Sequence, residues 1–314
     1  MKIFSVIATF FLLIACAHMM PEGEKASLEK LPIGEVPLEK DQQFNSYWYA
    51  GMAELTSYTL SQARYGELHE GESVLVYVTE DFLKDTQVKR ESDTKEEALS
   101  VMKLNRIDRF TTGIYDYSMM LSVFTPVEQT SHPYTLKTSF SSQDWCGHSW
   151  MQLNRKNEAY EASVRSYFEA EGDRQEQLKD QILEDEIWTL ARLDPKALPV
   201  GEVTLLPSSS HIRLNHVGLS SEKAKATLML EVDDKSSERF VYTLDYESGR
   251  KLVIYIQTAF PHRIYGWEEK VKSGWGPAAK WLTTTATMKG TIKSAYWGKK
   301  SVADSDLRKQ LKLD

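Results

Sequence analysis

The densest run of reactive side chains is Ser142-Gln143-Asp144-Trp145-Cys146-Gly147-His148-Ser149-Trp150. On an extended strand alternate residues share a face, so Asp144, Cys146 and His148 would point one way, with Trp150 following. A thiol beside an imidazole, with a carboxylate near, is the elementary set for nucleophilic catalysis. Neighbours on one strand face stand about 6–7 Å apart, beyond hydrogen-bond reach without a bulge. Gly147 could supply that bulge. The competing role is packing, with Cys146 a small buried apolar residue and His148 a satisfied polar one.

Aromatic residues form the second constellation. Tyr115, Tyr117 and Phe124, with Trp145, Trp150, Tyr265 and Trp267, could line a concave sheet. Such a surface suits an apolar or amphipathic ligand, for which Tyr115, Tyr117, Trp145, Cys146, His148 and Trp150 are the candidate contacts. The same residues could equally fill a core.

Other reactive residues point to ordinary roles. His211 and His216 face opposite ways on a strand, so a shared metal would need a turn between them. His132 and His262 flank prolines at turns, and Glu184-Asp185-Glu186 reads as a solvated helix face with Lys179 and Arg192 nearby. Ser220-Ser221-Glu222-Lys223 reads as a polar turn. The chain has no P-loop, Rossmann glycine fingerprint, Gly-x-Ser-x-Gly or His-Glu-x-x-His. Nothing in it calls for a cofactor or a metal.

The elements that must position these residues are mostly strands. Ala224, Ala226, Leu228, Leu230 and Val232 alternate with polar neighbours, and so do Phe240, Tyr242, Leu244 and Tyr246. Ser248-Gly249 then turns the chain into Leu252, Ile254 and Ile256, a hairpin. Val74 to Val78 is apolar on both faces and belongs in a central strand. Residues 54–65, 101–124, 134–154, 202–217 and 283–297 also read as strands, and 160–168 favours strand over helix. Leu183, Ile187, Leu190 and Ala191 keep helical spacing up to Asp194-Pro195, so 176–193 is expected as a helix, with a short one near 304–311. The expected fold is mainly β, a large curved antiparallel sheet forming a barrel or half-barrel, with a sandwich as the alternative. Two β modules, 44–172 and 198–300, could be joined by the helix.

The first residues set the expected address. One lysine precedes a short apolar run ending Leu13-Ile14-Ala15-Cys16, too short to span a bilayer. This resembles a bacterial lipoprotein signal, which implies removal of residues 1–15 and acylation of Cys16 with palmitate-type chains. Acyl chains hold a protein at roughly 0.8 kcal/mol per buried methylene, and stable anchoring needs more than one chain. Ala17 stands where aspartate would favour the inner membrane, so an outer-membrane anchor facing the periplasm is expected. Residues 17–43 are polar and carry Pro21, Pro32 and Pro37, a tether of roughly 30 Å. The folded part is then 44–314. Loss of Lys2 takes the formal charge from −7 to −8, a poor match for nucleic acid or anionic lipid. With Cys16 acylated, Cys146 is left alone and no intrachain disulfide forms.

Several stretches carry a family resemblance: Ala53-Glu-Leu-Thr-Ser-Tyr58, Gln62-Ala-Arg-Tyr-Gly-Glu67, Val78-Thr-Glu-Asp-Phe82, Lys103-Leu-Asn105, Thr112-Gly-Ile-Tyr115, Asp144-Trp-Cys-Gly-His148, Ser166-Tyr-Phe168 and Trp188-Thr189. In these the chain resembles a family of uncharacterised lipoproteins from Bacteroidetes-type bacteria. Members are sometimes labelled septum formation inhibitor Maf. True Maf proteins have a Ser-x-Ser-x-Arg-Arg loop and an α/β fold, so the resemblance implies no Maf activity. Phe260-Pro261 and Trp267 are similar to motifs in periplasmic β proteins of the DUF3108 type, which implies a curved antiparallel sheet. The combined expectation is a non-catalytic envelope lipoprotein, held to the membrane by its lipid and binding an apolar or amphipathic molecule or an envelope protein. A thiol-dependent enzyme using Cys146 and His148, and a structural interaction module, are the alternatives.

Overall fold

The computed structural model describes residues 38–232 and 237–313. The expected signal, Cys16 and most of the expected tether lie outside them. The tether's predicted end at residue 43 is corrected, because helix α1 already runs from Leu38 to Trp48.

Eight strands follow in meander order. They are β1 (Ala53–Arg64), β2 (Glu67–Leu83), β3 (Ala98–Thr112), β4 (Tyr115–Pro126), β5 (Lys137–Gln143), β6 (His148–Lys156), β7 (Ala159–Ser166) and β8 (Arg174–Lys179). The chain then forms the short β9 (Ile182–Leu183), helix α2 (Glu184–Leu193), β10 (Gly201–Leu206) and helix α3 (Ser209–Asn215). The rest is β11 (Glu222–Val232), β12 (Glu238–Tyr246), β13 (Lys251–Gln257), β14 (Ile264–Ser273), β15 (Lys280–Ser294) and helix α4 (Asp306–Gln310).

All fifteen strands belong to one sheet, ordered β8 to β1, then β15 down to β9. Each ladder is antiparallel except the short β9–β10 pair. The fold is therefore mainly β and antiparallel, as the alternation predicts. The sheet is not closed, since β8 and β9 are its edges. Those edges are consecutive in the chain, joined only by Asp180-Gln181. Three peptide links span at most about 11 Å, so the sheet must curl until its edges approach. The seam is filled by side chains instead of a ladder. Met151, Leu153, Tyr160 and Val164 from β6 and β7 pack with Leu183, Leu206 and Ile212 from the opposite edge and α3.

Inside the curl lies α2. Ile187, Trp188, Ala191 and Arg192 are at most 1% exposed, and the helix meets Tyr77, whose hydroxyl donates to the Trp188 carbonyl at 3.1 Å. The acidic triplet is buried too, which corrects the expected solvated face. Arg250 donates twice to Glu184, at 2.5 and 2.6 Å. Ser209 donates to Asp185 at 2.5 Å, while Glu186 accepts from the backbone of Leu183 and Thr135. A helix wrapped on all sides must satisfy every polar group internally. Strand and loop residues far away in the chain do that here.

Three more expectations are corrected. Residues 176–193 begin with an edge strand, so the helix is only the second half. The span 202–217 breaks at Pro207-Ser208, where the Ser208 hydroxyl accepts from Ser210 and His211 and caps α3. The span 134–154 is two strands with a turn at 144–147. On the outer face, Leu311 after α4 covers Ala53, Leu55, Val76 and Val78.

Candidate functional site

α1 covers one end of the curl, where Trp48 is buried against Tyr77 and Phe44 meets Phe260. A cavity of about 390 Å³ opens near the other end, between the ends of β1 and β14, the turn that follows β14, and helix α3.

Its wall begins with a tight hairpin. Arg64 pairs with Glu67, leaving Tyr65 and Gly66 as a two-residue loop with φ of 54° and 80°. Two left-handed residues in succession are what a type I′ turn needs, and glycine takes the second without a Cβ clash. That turn places the Tyr65 hydroxyl 2.6 Å from that of Tyr117 on β4. Arg64 sits behind them, 5% exposed. It donates to both hydroxyls at 3.3 Å and to the Leu214 carbonyl, and its guanidinium lies 4.2 Å from the Tyr65 ring centre.

Deeper in, the Arg106 guanidinium of β3 packs against the edge-to-face pair Trp188 and Trp267, 4.8 and 4.5 Å from the ring centres. Its Nε donates to Asp108 at 2.9 Å, and Asp108 also accepts from Ser73. Across the cavity Glu269 accepts from Arg250 Nε at 2.7 Å, with His211 Nδ1 3.5 Å away. Burial acts to raise the Glu269 carboxyl, and the Arg250 charge, with a hydrogen bond from His211, outweighs it, holding it well below the usual carboxylate range. Burial raises the Tyr65 and Tyr117 hydroxyls, so both stay protonated and able to donate.

The rim is aromatic. Trp275, between Gly274 and Gly276 in the β14–β15 turn, lies 5.2 Å from Tyr65 and is 62% exposed. Tyr115 is 5.8 Å from Tyr117 and 6.4 Å from Trp145. Three residues singled out in the sequence, Tyr115, Tyr117 and Trp145, therefore cluster behind Tyr65, but none of them lines the cavity.

The others do not join them. Asp144 lies in the β5–β6 turn, accepting from the backbone of Cys146 and Gly147 at 2.6 and 3.2 Å. Its second oxygen is 3.5 Å from Arg213, so the carboxylate shapes a turn and meets α3. Cys146 is an exposed free thiol at the turn. His148 and Trp150 alternate with buried Ser149 and Met151 and so face outward, with the Trp150 Nε1 donating to Ser139. His211 and His216 also part, the first toward Glu269 and the second 2.6 Å from Glu171. Among the described residues no three of His, Cys, Asp and Glu converge to hold a metal.

No family model, curated protein or solved structure matches the chain. Function must therefore be argued from geometry. Arg64, Arg106, His211, Glu269 and Trp275 come from separate stretches, none with a recognisable motif. The nearest signal is Gln62-Ala-Arg-Tyr-Gly-Glu67, whose Tyr-Gly pair marks a turn flanked by an arginine.

Proposed function

We propose that this is a lipid-anchored, non-catalytic envelope protein that binds a small amphipathic molecule in the cavity opposite α1. The observation that carries the reading is the cavity itself, about 390 Å³ with charged groups inside and aromatic rings at its rim. That volume falls within the roughly 300–1,000 Å³ usual for small-molecule pockets. The remaining sheet interior is occupied by α2, which favours a ligand held at the end of the curl over one spread along the sheet. Anchorage through Cys16 and a periplasm-facing address rest on the Leu-Ile-Ala-Cys signal.

Native mass spectrometry of protein extracted from the source membrane tests this. A non-covalent small-molecule adduct is expected on the acylated protein. It should be lost in Ala279→Trp, which places an indole in the cavity from a loop position. An adduct-free wild-type mass, or an adduct indifferent to Ala279→Trp, would count against the reading.

A further inference from the structure

We infer that the cavity takes an oxyanion, a carboxylate or phosphate carried on a flat unsaturated ring, with Arg64 and Arg106 facing the anion and Trp275 with Tyr65 facing the ring. This deepens the binding reading above and rests on it.

Arg64 supplies the first reason. A guanidinium offers five N–H donors and stays charged. Here it is 5% exposed, yet its acceptors are a carbonyl and two phenols, all neutral. Its Nε has no hydrogen-bond partner, and among the described residues it forms no ion pair. A buried charge is costly unless an opposite charge faces it. An anion in the cavity that Arg64 lines would meet that need.

Arg106 supplies the second. Asp108 engages only its Nε, and among the described residues its two terminal nitrogens make no hydrogen bond. Trp188 and Trp267, a perpendicular pair with ring centres 5.1 Å apart, both pack against the group, and with Asp108 on Nε they restrict the direction of the free donors. A planar fork held in one orientation matches the two oxygens of a carboxylate or phosphate.

The acidic groups on the same walls do not cancel this attraction. Asp108 is held by Arg106 and Ser73, and Glu269 by Arg250 and His211. Lys272 adds a further cation to the lining. For the ring, Trp275 lies tilted by 38° over Tyr65 and keeps most of its surface open. An exposed indole beside a charged cavity is the arrangement expected for stacking a planar ligand.

The test is calorimetric titration of the detergent-solubilised full-length protein with 2-naphthyl phosphate, 2-naphthoate and neutral 2-naphthol. At least one anion should bind about tenfold more tightly than 2-naphthol, as a charge-assisted hydrogen bond requires. Which anion wins distinguishes phosphate from carboxylate. Arg64→Gln should erase the preference, and Trp275→Ala, an exposed position, should weaken both anions severalfold. Should Arg64→Gln fail to fold, the anion preference of the wild type and its decline with added salt still decide. Equal binding of 2-naphthol, an anion preference that survives in folded Arg64→Gln, or no binding of either anion would overturn the oxyanion. If 2-naphthol binds equally and Ala279→Trp excludes it, the cavity reading stands while the anion falls. A native adduct alongside inert naphthyl probes has the same consequence.

Discussion

Arg192 Nη1 lies 2.8 Å from Glu54 Oε1, with side chains 1% and 0% exposed. The pair ties the last turn of α2 to the first residues of β1, more than a hundred positions earlier. Burial acts to raise the Glu54 carboxyl, and Arg192, Tyr47 and Arg263 outweigh it, so it is held below its ordinary value. The ion pair thus fixes where the central helix sits inside the sheet.

Arg192→Met leaves Glu54 buried with only Arg263 and Tyr47. The expected cost is about 2–4 kcal/mol of stability, since breaking a buried pair costs about 3–5 when the charge is left alone and Arg263 still compensates part of it here. Glu54→Gln added to Arg192→Met should recover part of it. Chemical denaturation of both variants checks this, and a loss under about 1 kcal/mol for the single variant would contradict it.

Stability should fall as pH rises from about 4 to about 7. Burial pushes Asp185 up to about 6 and Glu186 up to about 7. Over that interval the folded protein holds protons that the unfolded chain has released, so the slope is negative, and the total is on the order of a few kcal/mol. Glu186→Gln removes the titrating group while keeping one carbonyl acceptor, for Leu183 or Thr135, and should flatten the upper part of the curve. Melting temperatures across the pH series provide the measurement, and an unchanged slope in Glu186→Gln would refute the assignment.

The acylated, folded chain should take up one equivalent of a water-soluble maleimide, at the exposed Cys146. Its melting temperature should not change, because the thiol is outside the core. Uptake of a second equivalent would show that Cys16 is free and would argue against the lipid anchor.

Leu311→Ala should destabilise the protein by about 2 kcal/mol or more, the usual range for a buried leucine. Leu311 is 5% exposed over the outer apolar patch of β1 and β2. Uncovering that patch should also raise aggregation, read by light scattering alongside denaturation.

The strands are legible where period-two patterning meets a turn residue, as in the β12–β13 hairpin with its Ser248-Gly249 turn. The β5–β6 turn is not, because Asp144-Trp145-Cys146-Gly147 keeps the alternation of its flanks. The sequence overextends α2 because Leu178 and Leu183 keep enough apolar spacing to hide the edge strand before it. Its acidic triplet reads as surface because its partners, Arg250, Ser209 and Thr135, are distant in sequence. No local pattern announces a buried carboxylate whose cation arrives 66 residues later. The cavity is hidden for the same reason. Tyr115, Tyr117 and Trp145 are visible as aromatics, but Arg64, Arg106 and Glu269 meet only once the sheet has curled.

Strand β15 sits between β1 and β14 although it follows the other fourteen described strands in sequence. Both neighbours must therefore wait for it with one side unpaired, the first since residue 53. Ladder partners such as Ala53 and Ser294 are separated by most of the chain, and such distant pairings slow folding. A nascent polypeptide halted before residue 280 would present two bare β borders, each ready to recruit a neighbour. Strand β15 thus works as a latch, and chaperone demand should peak just before it engages.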